Sequence, residues 1–200
     1  MRNDDAWLAG WSSIVDAIIR GEPVRRSLVT LGPTPPLLQG LGLAPADLAM
    51  VPAKIARARR DHPEVQLEHW RKLPSLLGKP LAVVPSVRRD GSLLVVLVVR
   101  DSDGLPIIVP IAPGVEGHPN IVLSMYGKSG GVEWIQRQLE HAVAEALPHY
   151  VSKGFAATLP QPGSASAIPS SPGPIPADGT AKPLRNVLKL GKKSRSGQAD

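Results

Sequence analysis

The sequence predicts an α+β domain in which a helical N-terminal half packs on a small, mostly antiparallel sheet of four to five strands. Two observations support this prediction. Residues 33–60 form short segments of helical character separated by prolines. Residues 81–125 instead contain short runs rich in Val, Ile and Leu that are bounded by Gly, Pro and Asp. Helices followed by a run of strands are the order typical of an α+β fold.

Changes in composition divide the chain into three parts. Residues 1–22 form an amphipathic helical leader, residues 23–159 the α+β domain, and residues 160–200 a basic tail rich in Pro, Gly and Ser. The tail has too few apolar residues to form a core, so we predict that it is disordered.

The leader helix is predicted over residues 5–20, where Trp7, Trp11 and Val15 lie near one helical face. Gly21 ends this helix. A helix with such a face docks either on its own domain or on a partner chain.

Prolines define the predicted helices that follow. Thr34 is expected to cap a short helix that has prolines in its first turn. The next helical stretch includes Leu48 and Met50, and Pro52 begins a new helix because its ring clashes with the preceding turn. A further short helix is expected to end before Pro74.

The strands are predicted from apolar runs joined by the turn sequences Arg88–Gly91 and Asp101–Gly104. The run LLVVLVV is apolar on both faces, so it is expected to be a central strand that is covered on both sides. Pro106 and Pro110 place the next strand at an edge of the sheet. A long helix over 132–147 and a final strand at His149–Ser152 complete the domain.

The composition excludes several classes of protein. The chain has no cysteine, which excludes disulfides and thiol catalysis. It has no uninterrupted apolar run of membrane-spanning length and no basic N-terminal segment of a secretory signal. The net charge of +6 suits a nucleic-acid partner, although solvated surface charge explains it as well. The sequence carries no nucleotide-binding glycine motif and no clustered metal ligands, so neither a cofactor nor a metal is expected.

A row of polar residues follows the last long apolar run. Ser124, Tyr126 and Lys128 occupy every second position, and glycines come directly after them. Because side chains alternate along a strand, these three are predicted to share one face that binds a phosphate. An ordinary, half-solvated strand end is the alternative.

The order of these motifs resembles the phage MuF C-terminal domain family. The resemblance extends over 24–159 and includes VTLGPTPPLLQGLGL, a basic segment that ends in His-Pro, the Asp-Gly-linked strands, NIVLSMYGKS and HYVSKG. It implies a nuclease fold of the barnase–EndoU–colicin–RelE group and a phage or prophage toxin domain that acts as a metal-independent endoribonuclease. The chain departs from the family's basic–His pair, since Asp61 precedes His62.

Metal-free RNA cleavage requires proton transfer and stabilisation of the phosphate. Histidine suits the proton steps, while Lys and Arg suit the phosphate. The predicted catalytic residues are His62, Ser124, Tyr126 and Lys128, and the predicted substrate-binding residues are Arg57, Arg60, His118 and Lys153.

The expected partners follow from this function. RNA, for example tRNA, is the substrate, and an immunity protein or a phage head protein is a further partner, with no role for a membrane. The expected location is the cytoplasm of a bacterial host or the virion. The alternative function is a non-catalytic phage module that binds nucleic acid or a virion protein.

Overall fold

The computed structural model describes residues 4–24 and 27–159, and side chains from residue 8 onward. The predicted tail at 160–200 and the side chain of Trp7 lie outside the described residues. The helices of the described part are α1 (Asp4–Ile19), α2 (Pro36–Gly40), α3 (Pro52–Asp61), α4 (Leu67–Arg71), α5 (Leu73–Leu77), α6 (Gly131–Ala144) and α7 (Lys153–Ala156). Its strands are β1 (Val29–Pro33), β2 (Asp47–Met50), β3 (Ala82–Pro85), β4 (Leu93–Arg100), β5 (Pro106–Ala112), β6 (Asn120–Val122), β7 (Tyr126–Gly127) and β8 (Tyr150–Val151).

These strands form one sheet in the order β1-β2-β6-β5-β4-β3-β8, with β7 paired to β5 beyond the end of β6. The pairing of β2 with β6 is parallel, and all others are antiparallel. The mixed α and β fold is thus confirmed, as is the meander from β3 to β6. The predicted size of four to five strands is wrong, because the sheet has eight strands in the described residues.

The underestimate comes mainly from β1, where no strand is predicted, and from β2, which lies in the region assigned to helices. Leu48 and Met50 are expected in a helical stretch, yet both are buried in a strand. This strand lies between β1 and β6, and its pairing with both neighbours overrides a local sequence that contains no β-branched residue.

The prediction that β4 is central and covered on both sides is confirmed. Leu93, Val95 and Leu97 face a large core shared with α1, α3, α4 and α5. Leu94 and Val96 face a second core that includes Ile135, Leu139 and Phe155 from α6 and α7. The alternation of side chains along β4 therefore joins two apolar layers.

The prediction that β5 is an edge strand is wrong, because β5 lies between β4 and the short strands β6 and β7. Its prolines are tolerated because the pairing on that flank is interrupted. The carbonyls of Pro110 and Pro106 accept hydrogen bonds from the backbone N–H groups of Leu123 and Lys128, at the ends of β6 and β7. The ring nitrogens of Pro106 and Pro110 face the same flank. Few hydrogen bonds between strands form there, so the missing N–H donors matter little.

Helix α1 docks on its own chain. The indole Nε1 of Trp11 donates a hydrogen bond to the carbonyl oxygen of Trp70 at 2.6 Å, and both side chains are fully buried. At the helix surface, Arg71 forms an ion pair with Asp16 at 2.8 Å.

No helix in the described part of the chain is long and apolar enough to cross a membrane.

Two helix ends differ from prediction. The helix predicted to end before Pro74 does stop at Arg71, but α5 follows with Pro74 in its first turn, where no N–H is needed. Helix α6 ends at Ala144 instead of residue 147, and Val143 and Leu147 are exposed, not on the buried face.

Thr34 is not a helix cap, contrary to prediction, because Pro35 occupies that position. The Thr34 hydroxyl is buried and accepts a hydrogen bond from Asn120 Nδ2 at 2.8 Å. Asn120, with no exposed surface, also donates to the Ala44 carbonyl at 2.9 Å and accepts from the Gly114 backbone N–H at 2.9 Å. One amide thus links the loop before α2, the loop before β2 and the loop before β6.

We expect Asn120→Ala to lower the free energy of unfolding by about 3 kcal/mol, because it leaves several buried polar groups without a partner. Thr34→Ala removes one of the three hydrogen bonds and is expected to cost about 1 kcal/mol. Urea unfolding measures both. The exposed Val143→Ala serves as a control within about 0.5 kcal/mol. Equal losses for Asn120→Ala and Val143→Ala would contradict the role assigned to this amide.

Candidate functional site

Two neighbouring clefts lie where α3 meets the segment between β6 and α6. The α3 cleft has a volume of about 200 Å³, and the hairpin cleft about 490 Å³. Leu123 lines both, so they share a wall. The α3 cleft is lined by Lys54, Arg57, Ala58, Asp61, His62, Leu123 and Ser124. The hairpin cleft is lined by Ser86, Val87, Arg88, Arg89, Ser92, Leu94, Pro110, Leu123, Tyr126, Lys128, Trp134 and Gln138.

His62 lies at the C-terminal end of α3, where its backbone N–H donates to the Ala58 carbonyl at 2.8 Å. Its Nδ1 is 3.1 Å from Glu64 Oε1, while Nε2 has no hydrogen-bond partner among the described residues. The imidazole ring contacts the Tyr126 ring, with centroids 5.4 Å apart and planes inclined by 32°. The imidazole is therefore oriented by a carboxylate on one side and a phenol ring on the other.

The row of Ser124, Tyr126 and Lys128 divides between the two clefts. Ser124 lines the α3 cleft with His62, while Tyr126 and Lys128 line the hairpin cleft. Strand β7 begins only at Tyr126, so the alternation assumed from sequence does not hold for Ser124. The three residues therefore do not line a single cleft. The contact between His62 and Tyr126 nevertheless brings the row and the histidine together.

Tyr126 and Lys128 differ in their electrostatic surroundings. Burial raises the pKa of the Tyr126 phenol above its ordinary value of 10.0, and the nearby Arg88 charge opposes that rise. The phenol therefore keeps its proton near neutral pH and remains a hydrogen-bond donor. Lys128 Nζ lies 4.8 Å from the centroid of the Trp134 ring, a cation–π contact that holds the ammonium in the hairpin cleft.

In addition to Ser86, five polar or aromatic residues of the hairpin cleft were not anticipated from the sequence. The segment that includes Arg88 and Arg89 is predicted as a turn, and Trp134 falls within the predicted helix over 132–147. An arginine pair in a hairpin loop was the available signal, but its proximity to Tyr126 depends on the sheet order. The residues are Arg88, Arg89, Ser92, Trp134 and Gln138.

The predicted substrate-binding residues lie in different places. Arg57 lines the α3 cleft and its Nε donates to Asp61 Oδ2 at 3.2 Å. Arg60 is exposed and pairs with the other oxygen of Asp61 at 3.8 Å. His118 is exposed in the loop before β6, and Lys153 is exposed at the start of α7. Arg60, His118 and Lys153 line neither cleft.

The position of β7 depends on Gly127, which packs directly on the buried carboxylate of Asp101. Asp101 Oδ1 accepts hydrogen bonds from the backbone N–H groups of Asp103 and Leu105, which fixes the carboxylate in its turn. A Cβ at residue 127 would overlap Asp101 Oδ2. Glycine is therefore needed between the two cleft residues Tyr126 and Lys128.

In the described part of the chain, no three His, Asp or Glu side chains are grouped as metal ligands.

Comparison with known proteins gives one match. The family model of the phage MuF C-terminal domain matches residues 54–154, which is half of the chain. The matched region begins within α3 and ends at the start of α7, so it includes every residue that lines the two clefts. No curated protein and no solved structure matches the sequence significantly.

We expect Gly127→Ala to lower the free energy of unfolding by about 2 kcal/mol, because the new methyl group must displace β7 or the Asp101 carboxylate. Gly10→Ala, in the exposed middle of α1 with open space around it, is the matched control and should stabilise by up to about 1 kcal/mol. Thermal and urea unfolding distinguish the two. A Gly127→Ala variant as stable as the wild type would show that β7 tolerates a side chain here.

We expect the Tyr126 phenol to ionise with a midpoint above 10.0. The chain has only two tyrosines, so subtracting the ultraviolet titration of Tyr126→Phe from that of the wild type isolates this group. The folded-state pKa is raised, so its contribution to stability is complete below pH 10 and declines as the pH rises through the folded pKa. A midpoint at or below 10 would contradict the burial of this phenol.

Proposed function

The chain belongs to the phage MuF C-terminal domain family, and from this premise we propose that it is a toxin module that cleaves RNA without a metal ion. The observation that carries the proposal is the contact between the His62 and Tyr126 rings at the wall shared by two clefts. A titratable imidazole and a protonated phenol meet there, with cationic side chains on both sides.

The charges around this wall suit a phosphodiester. Lys54 and Arg57 line one cleft, and Arg88, Arg89 and Lys128 line the other. Lys and Arg bind phosphate oxygens through charge-assisted hydrogen bonds, which strengthen as negative charge develops in the transition state. A single RNA strand that crosses the wall would place its scissile phosphate between Ser124 and Lys128.

In the proposed reaction, His62 Nε2 accepts the proton of the ribose 2′-hydroxyl as the 2′-oxygen attacks phosphorus. The bond from phosphorus to the 5′-oxygen breaks, and that oxygen leaves with a proton from the Tyr126 phenol. The products are a 2′,3′-cyclic phosphate and a free 5′-hydroxyl. The proton taken by His62 returns to the tyrosine through water, so the enzyme is regenerated. Lys128 stabilises the charge on the phosphate oxygens.

Glu64 has a positioning role in this reaction. Its carboxylate accepts a hydrogen bond from His62 Nδ1–H, which leaves Nε2 as the basic nitrogen and stabilises the imidazolium that forms. The acidic residue before His62 does not disturb this hydrogen bond. Asp61 pairs with Arg57 and Arg60 and not with the imidazole.

We expect the purified chain to cut total RNA in the presence of EDTA and to leave 2′,3′-cyclic phosphate ends. His62→Ala is expected to lower the rate by about 10²–10⁴-fold, the range typical of a general base. Tyr126→Phe and Lys128→Ala should each lower it by a smaller factor. His149→Gln changes an exposed histidine outside both clefts and is expected to leave the rate unchanged.

The outcome also separates the two candidate functions. RNA that is bound with a steep salt dependence but never cut would favour a non-catalytic nucleic-acid module. Growth inhibition on expression in a bacterial host, relieved by His62→Ala, would support a toxin that acts in the cytoplasm. Cleavage that is equally fast in wild type and His62→Ala would overturn the mechanism.

A further inference from the structure

The hairpin cleft contains more phosphate-binding groups than the cleavage step uses. Tyr126 contacts His62 of the α3 cleft and Lys128 lies against Trp134, whereas Arg88, Arg89 and Ser92 come from the loop between β3 and β4. Ser92 is only 2% exposed, and its hydroxyl has no hydrogen-bond partner among the residues that the structure describes. A buried hydroxyl without a partner is costly, and polar ligands commonly satisfy such groups.

The loop that carries these groups is fixed by its own backbone. The N–H of Ser86 donates to the Ser92 carbonyl at 2.8 Å, and the N–H of Ser92 donates to the Arg89 carbonyl at 3.1 Å. Gly91 has a φ of +68° and approaches the ring of Pro113. The arginine pair is therefore presented by a closed hairpin, with its backbone positioned before any ligand arrives.

We propose that the hairpin cleft is a subsite for the phosphate of the RNA nucleotide next to the scissile bond. Arg88 and Arg89 supply the positive charge, and the Ser92 hydroxyl donates a hydrogen bond to a phosphate oxygen. The volume of about 490 Å³ lies within the range of ligand-binding clefts, so a nucleotide fits. The location of the scissile bond at the shared wall rests on the proposed function.

Trp134 has a positioning role in this arrangement. Its ring holds the Lys128 ammonium on the side of the hairpin cleft that α6 covers, at 4.8 Å from the ring centroid. Lys128 therefore lies between the scissile phosphate and its neighbour and can contact both. The chain thus requires a substrate with at least two consecutive phosphates for full activity.

The subsite is tested by binding and by cleavage. The binding probe is an equimolar mixture of fluorescent RNA tetranucleotides with 2′-deoxy residues at the first three positions, which leaves no 2′-hydroxyl beside a phosphodiester, so the probe binds without being cut. We expect Arg88→Gln/Arg89→Gln to weaken binding about tenfold or more, with a salt slope that is shallower by about 0.7 for each phosphate that the variant no longer neutralises. Arg20→Gln/Arg100→Gln removes the same charge from exposed positions outside both clefts and is the matched control.

Ser92→Ala provides a readout that a structural role would not give. Because the hydroxyl lacks a partner in the unbound protein, we expect the melting temperature to stay the same or rise. Binding of the same probe should weaken about threefold to tenfold. A lower melting temperature with unchanged binding would assign Ser92 to the fold alone and would overturn its part in the subsite.

Cleavage separates this proposal from the proposed function. Wild-type protein is expected to cut tetranucleotides more efficiently than dinucleotides, and Arg88→Gln/Arg89→Gln should abolish that preference. Equal binding by this variant and the wild type would overturn the subsite, even if RNA is cut. Weakened binding by the variant, with no cleavage by the wild type, would support the subsite and reject the ribonuclease.

Discussion

The buried side chain of Asn120 is the interaction on which the rest of this structure depends. It joins β6 to the loops around β1 and β2 through two hydrogen bonds and to the loop before β6 through a third. The parallel pairing of β2 with β6 has a register of only two residue pairs. So short a pairing has little cross-strand contact of its own. The amide therefore fixes how the first two strands sit against the meander.

That arrangement determines the geometry of the candidate site. Strand β2 is followed directly by α3, whose last turn leads to His62, and β6 is followed by Ser124 and Tyr126. The distance between the two rings is thus set by the relation of β2 to β6 and by the packing of α3 on the core. A buried amide that lines neither cleft thus helps to determine whether the imidazole and the phenol meet.

The family match covers only part of this sheet and core. It begins at residue 54, so α1, β1 and β2 lie outside the matched region although they extend the same sheet and core. All the groups that line the clefts lie inside it. The matched region contains the candidate catalytic and phosphate-binding residues. The preceding strands and helix complete the core that orients α3. Asn120 lies within the matched region and donates a hydrogen bond to Thr34, which lies outside it, so this bond links the two parts.

Local sequence determined the features that depend on local physics. The meander of apolar runs and Gly-rich turns, the centrality of β4 and the start of α3 at Pro52 all follow from side-chain pattern and backbone restriction, and all are present in the structure. So does the choice of His62, Tyr126 and Lys128 as residues with suitable chemistry, whose catalytic role stays a prediction.

Tertiary structure alone decided the rest. Strands β1 and β2 exist because long-range partners complete their hydrogen bonds, and β5 is central despite its prolines because β6 and β7 leave its flank interrupted. The hairpin arginines reach Tyr126 only through the sheet order, which a pattern of neighbouring residues does not encode. Sequence specifies what each residue can do, whereas pairing between distant segments specifies which residues meet.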